Sequence, residues 1–270
     1  MRGSGFIAVA VLAAAGFPAA ASAQRAPEEA HGVRIEEVST GEVATAPDTL
    51  PRYRGRTDSL TSARVRLASA RARDMRVVVS VAQRKLWVLD GADTLRTAPV
   101  AVGMGRLLEY GGHRWTFATP RGVRTIIGKQ AAPKWRPPEW AYAEVAREHH
   151  LKLAHVPARG SAKLRDGRRL LVRDGLVGVM MPDGFAPLPV EEHIVFDSTL
   201  WVPPLGSQNR AIDGELGDYQ LDMGNGYLLH GTSRASSIGS ATTHGCVRLF
   251  DVDLEWLYTF VPVGTKVYIY

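Results

Sequence analysis

Cys246 is the only cysteine in this 270-residue chain. It lies in the run "TTHGCVRL", with His244 two residues before it, Gly245 adjacent, and Arg248 two residues after. A lone thiol can be a small buried hydrophobe, a link to another chain, or a reactive group. A free thiol with a pKa of about 8.5 is only a few per cent ionised at neutral pH, so nucleophilic use requires a base or cation beside it. Two histidines qualify: His244 in the same segment, and His230 in "LLHGTS", where it ends an apolar run and precedes Gly231. Either could take the thiol proton on these grounds alone. Gly245 permits an unusual backbone angle or a close ligand approach. Successive backbone N–H groups beside such a turn could hold a developing oxyanion.

The same residues also offer three zinc ligands, His230, His244 and Cys246, which with water would make a catalytic metal pattern. There is no second cysteine, no HExxH and no paired motif nearby. The expectation is therefore no metal and no cofactor. "GMGRLLEYGG" lacks the spacing of a phosphate-binding glycine loop and is expected to be a turn.

These groups need a rigid frame, and the surrounding pattern supplies strands. If "CVRLF" is extended, Val247 and Leu249 point into the core while Cys246 and Arg248 share the opposite face. "RVVVSVAQ", "KLWVLD" and "TLRTAPVAVG" are β-rich runs separated by turn residues, which predicts an antiparallel meander. "RGVRTIIGKQ", "GYLLHG" and "GTKVYIY" read as further strands. "DVDLEWLYTF" reads as a helix, with Asp251 as its cap, Asp253 in the first turn and Pro262 beyond its end. The domain is expected to be mainly β. Residues 137–203 differ in texture. "PPEWAYAEVAREHH" predicts a helix, and Asp166-Gly167, Asp174-Gly175 and Asp183-Gly184 recur at hairpin spacing. This is read as an inserted helix-plus-hairpin subdomain, either a lid over a groove or a structural decoration.

Composition sets the compartment and partners. Residues 1–23 have the three parts of an export signal: Arg2, the apolar run Phe6 to Phe17, and Ala21-Ser22-Ala23. Cleavage and retention as an anchor are both open. Residues 24–56 show no period and read as a flexible stalk. Asp58 to Arg73 predicts an amphipathic helix with Leu60, Ala63, Leu67 and Ala70 on one face. The formal net charge is +6. Much of it comes from residues 52–76, where arginines such as Arg56, Arg64, Arg66 and Arg71 face only Asp58 and Asp74. That region is either a contact for an anionic surface or a solvated helix. No nucleic-acid motif accompanies the arginines, so nucleic acid is not an expected partner.

"HGTSRASSIGSATTHGCVRLFDVDLEWLY" resembles the active-site signature of the L,D-transpeptidase catalytic domain family. That signature has a His-Gly pair, a Gly/Ser-rich connection, [Ser/Thr]-His-Gly-Cys-x-Arg and a helix. "TPRGVRTIIGK", "WRPPEW", "PPLGSQNRAI" and "YQLDMGNGYLLHG" resemble the family's other blocks in order, so the likeness covers roughly residues 76–270, interrupted by the insertion. The resemblance implies a β-sandwich or barrel catalytic domain with a few short helices, carrying a cysteine acyltransferase. By it, Cys246 matches the nucleophile, His230 the general base, and Gly231 the residue whose carbonyl orients that histidine. His244 and Gly245 line the nucleophile, and backbone N–H groups including that of Cys246 stabilise the oxyanion. Arg248, Thr243 and Thr232 fall on the substrate side. Thr243 stands where serine is commoner.

The implied substrates are peptidoglycan stem peptides, donor and acceptor, in the periplasm or cell wall. Attack releases D-alanine from the third stem residue. An amine from a second stem, or from an outer-membrane or wall protein, then resolves the thioester. Resolution by water would make the same scaffold an L,D-carboxypeptidase or endopeptidase, and a non-catalytic wall-binding module is the reading from another class. The insertion is longer than the family's usual segment at this point.

Overall fold

The computed structural model describes residues 33, 34 and 53–270. Residues 1–23, read as the export signal, and nearly all of the stalk up to residue 52 lie outside the described residues. Val33–Arg34 forms a short strand paired antiparallel to Glu192–Phe196.

The meander is present. Arg76–Ser80, Lys85–Asp90 and Asp93–Pro99 pair antiparallel in sequence. Lys266–Ile269 then adds in parallel to Arg76–Ser80, and Gly122–Thr125 completes a five-stranded sheet. A second sheet has the order Val247–Arg248, Leu228–His230, Tyr219–Asp222, Gly128–Ala131. Val77, Val79, Leu86, Val88, Val267 and Ile269 from the first sheet share one core with Leu221, Leu229, Val247 and Leu249 from the second. β-Branched and leucine side chains at alternate positions make this possible, since each strand sends every second residue inward. Helix α3 (Asp251–Phe260) closes the core with Leu254 and Leu257.

The cap of α3 differs from expectation. Phe250 is the N-cap and no side chain caps the helix. Asp251 already lies inside the first turn, and its Oδ1 is buried with no hydrogen-bond partner among the described residues. Asp253 instead accepts hydrogen bonds from Arg96 Nε and Nη2 at 2.9 and 2.6 Å.

Helix α1 (Arg56–Arg71) forms, but with the opposite face inward. It packs on Lys266–Ile269 and Gly122–Thr125 through Ser62, Val65 and Ser69. Leu60 and Leu67 are 46% and 51% exposed. At about 100° per residue, the leucine stripe lies across the helix from the serines. The small side chains let the helix approach the sheet closely, and periodicity alone could not say which face would do so. The glycine-rich run expected as a turn also departs: Leu107–Tyr110 and His113–Thr116 form a hairpin, with only Gly111-Gly112 as its turn.

Between Pro137 and Pro203 lie helix α2 (Glu139–Glu148) and seven strands. Ser161–Lys163, Arg169–Arg173, Leu176–Met181 and Gly184–Pro187 form a meander with turns at Asp166-Gly167, Asp174-Gly175 and Pro182-Asp183, where Gly184 already pairs with Met181. Asp174 and Gly175 both have positive φ (52° and 77°), the backbone that a tight primed hairpin requires. Val156, Leu164, Leu170, Val177, Val179, Ile194 and Phe196 give this segment a core of its own. Helix α2 packs on Thr199–Val202 within the segment and on Leu107–Tyr110 outside it. Arg210 holds the two ends together, donating from Nε to the Pro137 carbonyl (2.7 Å) and from Nη1 to the Pro203 carbonyl (2.6 Å). Its guanidinium lies 4.8 Å from the Tyr142 ring centroid.

Candidate active site

Leu228–His230 and Val247–Arg248 pair in parallel, with Leu229 opposite Val247 and His230 opposite Arg248. Leu229, Val247 and Leu249 are fully buried. Alternation then puts His230, Arg248 and the preceding Cys246 on the other face. This is the arrangement expected from "CVRLF". Cys246 Sγ lies 3.8 Å from the Gly226 carbonyl, and the thiol is only partly exposed.

His230 is buried, at 4% exposure. Its Nδ1 lies 2.7 Å from the Gly231 carbonyl. A carbonyl only accepts, so Nδ1 carries the proton and Nε2 keeps its lone pair. Burial, and secondarily the Arg248 guanidinium, push the imidazole pKa down to about 3, although the Gly231 hydrogen bond opposes the shift. Burial raises the Cys246 thiol, while Arg248 and a backbone hydrogen bond from Leu228 act in the other direction. The resting pair is therefore neutral imidazole and neutral thiol. Gly231 has a packing reason to be glycine: a Cβ there would collide with Asp251 Oδ1 and approach Gly217.

Gly245 adopts φ +133°, and a Cβ on it would meet the Tyr227 ring at 3.0 Å and the Ala118 carbonyl at 3.2 Å. Thr243 and Thr232, expected on the substrate side, are both buried. Thr243 is 2% exposed. Its hydroxyl donates to the Cys246 carbonyl (2.6 Å) and accepts from the Gly245 N–H (3.2 Å), clipping the turn before the cysteine. Thr232 is 7% exposed, and its hydroxyl accepts from the Arg234 N–H at 2.9 Å. Both hydroxyls satisfy local backbone groups that would otherwise be unpaired, which is their physical reason for facing in.

Arg248 donates from Nη1 to Ser237 Oγ at 3.0 Å, while its buried Nε has no partner among the described residues. Arg234 and Glu215, paired at 3.2 Å, lie close enough to perturb it.

His244 does not share this environment. Its Nε2 lies 3.0 Å from Glu144 Oε2. Trp140 stacks on it at 4.1 Å and 18°, and Phe117 meets it edge-on at 4.5 Å and 78°. Glu144 is held below the ordinary carboxylate range, chiefly by the His244 hydrogen bond, despite its partial burial. Trp140 and Glu144 belong to α2, within the insertion. The residue reading missed them: their four-residue spacing puts them on one helix face but carries no signal of the ring they meet. Among the described residues, no group of three or more His, Cys, Asp or Glu is placed to hold a metal ion.

The sequence profile of the L,D-transpeptidase catalytic domain (YkuD) matches residues 74–269. The chain is 26% identical over 196 residues to the "Probable L,D-transpeptidase ErfK/SrfK" of Salmonella typhimurium (strain LT2), covering 72% of this chain and 43% of that protein. A shorter match of 55 residues, 46% identical, is to the "Probable L,D-transpeptidase YbiS" of Escherichia coli (strain K12), covering 20% of this chain and 18% of that protein. This chain thus spans less than half the length of either curated relative. The crystal structure of an L,D-transpeptidase (residues 123–326) from Xylanimonas cellulosilytica DSM 15894 overlays with 15% identity and a TM-score of 0.37, across 80% of this chain and 70% of that one. At that score it carries no argument.

Proposed function

The chain belongs to the L,D-transpeptidase catalytic domain family, and on that premise we propose that it is a peptidoglycan L,D-transpeptidase with Cys246 as nucleophile and His230 as general base. One observation carries the reading. The lone thiol shares a sheet face with a buried imidazole whose Nδ1–H is tied to the Gly231 carbonyl, leaving the Nε2 lone pair to accept a proton. His244 is the weaker choice of base, because its ring lies between Trp140 and Phe117 and hydrogen-bonds to Glu144, apart from the sheet face shared by His230 and Arg248.

Both groups are neutral at rest, so proton transfer accompanies attack rather than preceding it. As Sγ bonds to the carbonyl carbon of the third stem residue, Nε2 takes the thiol proton. Backbone N–H groups around Gly245 and Cys246 stabilise the oxyanion. The C–N bond then breaks, the imidazolium protonates the departing amine of D-alanine, and a thioester remains. An acceptor amine, from a second stem or a wall or outer-membrane protein, attacks that thioester. His230 takes its proton and returns it to the leaving sulfur. Arg248, whose guanidinium charge acts on both His230 and Cys246, is the residue proposed to meet a donor carboxylate.

Mass spectrometry with tetrapeptide-bearing muropeptides tests the reading. Expected are an acyl adduct on the wild type, none on Cys246→Ala, and cross-linked dimers among the products. Trimmed monomers alone would make the protein a hydrolase, and an adduct that survives Cys246→Ala would remove the nucleophile assignment. The proposed location is the periplasm or wall, on the export reading of residues 1–23. There, the outward stripe of α1, with Arg56, Arg64 and Arg71 beside exposed Leu60 and Leu67, fits an anionic surface. Co-sedimentation with anionic vesicles that does not weaken in Leu60→Ser/Leu67→Ser would count against that contact.

A further inference from the structure

Helix α2 lies within the insertion, about a hundred residues from the cysteine, yet two of its side chains end on the residue two before Cys246. Glu144 accepts a hydrogen bond from His244 Nε2 at 3.0 Å. Trp140, one turn earlier, covers one face of the same ring at 4.1 Å and 18°. Phe117 closes on it edge-on at 4.5 Å. A ring stacked, flanked and hydrogen-bonded in this way has its orientation set from outside its own segment. The segment needs such a hold, because the next residue, Gly245, is the flexible link to the nucleophile and sits at φ +133°. Thr243 fixes the turn from one side through the Cys246 carbonyl, and the His244 anchor fixes it from the other. Helix α2 is itself rigidly seated: Tyr142, Ala143 and Ala146 are buried against strands inside and outside the insertion. The charged and titratable groups acting on Glu144 are His244, Arg147 and Arg106.

We infer that Glu144 and Trp140 are positioning residues for the cysteine: the insertion sets the aim of Cys246 by gripping His244. This deepens the reading of Cys246 as the nucleophile and rests on it. What matters in Glu144 is the acceptor oxygen at that position, so glutamine can replace it and alanine cannot.

The test measures two rates on the full chain. One is the alkylation of Cys246, the only thiol, by iodoacetamide. The other is its acylation by a tetrapeptide-bearing muropeptide, with limiting rate and half-saturation concentration separated. Glu144→Ala is expected to lower the limiting acylation rate by about tenfold with little change in half-saturation, the pattern of a misaimed nucleophile, and to alter the alkylation rate. Glu144→Gln should return both to within about threefold of wild type. Glu144→Ala/His244→Gln should be no slower than the slower single variant, because both act through one contact. Glu148→Ala, exposed on the same helix, should match wild type. Wild-type rates in Glu144→Ala, additive losses in the double variant, or no recovery in Glu144→Gln would each overturn the inference. If Glu144→Ala does not fold, Trp140→Leu and Glu144→Asp take its place, and a wild-type rate in either overturns it. If wild-type protein is alkylated but never acylated by the muropeptide, the transpeptidase reading has failed. The positioning inference is then decided by the alkylation rates alone.

Discussion

His230→Gln should flatten the acid side of the stability curve by an amount that follows from burial. In the unfolded chain this imidazole titrates near pH 6.5. In the fold it stays neutral until about pH 3, because burial first and Arg248 second disfavour the charged form. Between those values the unfolded state binds one proton more than the folded state at this site, so stability falls as pH falls. The contribution is fully present above about 6.5 and is lost progressively toward 3. The limiting slope is about 1.4 kcal/mol per pH unit, and the loss between about pH 7.5 and about pH 5 comes to about 2 kcal/mol. Urea unfolding of both proteins at those two pH values measures it. Other titrating groups are common to both and cancel in the difference of differences, even if glutamine shifts the absolute stability. A double difference near 2 kcal/mol is expected, with wild type the more acid-sensitive protein. Parallel pH dependences would mean that the imidazole is not held neutral by the fold, and the neutral-pair mechanism would lose its basis.

Three further outcomes follow. Because burial raises the thiol, iodoacetamide alkylation of Cys246 should keep accelerating above about pH 8.5, where an ordinary thiol begins to level off; a plateau below neutral pH would contradict this. Gly231→Ala, whose methyl would collide with Asp251 Oδ1, should cost about 3 kcal/mol in denaturant melts, and Gly231→Ala/Asp251→Ala should recover part of that loss. Arg210→Ala leaves the Pro137 and Pro203 carbonyls without their shared donor and should cost about 3 kcal/mol. Limited proteolysis should then cut first near residues 137 and 203, and an unchanged cleavage pattern would argue against the clamp.

Local pattern carried much of this fold. The alternation in "CVRLF" predicted which side chains enter the core, and the three Asp-Gly pairs marked the hairpins, the third turning one residue early at Pro182-Asp183. The α3 helix was equally legible in its length, because apolar spacing and Pro262 bound it. What failed was information that lies in partners rather than in periods. The Leu60–Leu67 stripe was visible, but nothing local said that Ser62, Val65 and Ser69 would meet the sheet instead. Asp251 had the chemistry of a cap, yet it lies inside the first turn, and its Oδ1 has no hydrogen-bond partner among the described residues. Around the cysteine, the thiol and both histidines were readable as candidates from residue type. The Glu144 and Trp140 contacts, about a hundred residues away in sequence, were not.

The Arg210 clamp bears on how this chain tolerates change. A segment that departs at Pro137 and returns at Pro203 to the same guanidinium has its ends held by Arg210 as well as by its own pairing of Lys152–His155 with Thr199–Val202. Closing a loop whose ends are already held costs little more as the loop lengthens. The interior hairpins could therefore be shortened, extended or exchanged with small entropic consequence for the two sheets. The part that resists exchange is the single turn of α2 carrying Trp140 and Glu144, which makes the insertion modular at its tip and constrained at its root.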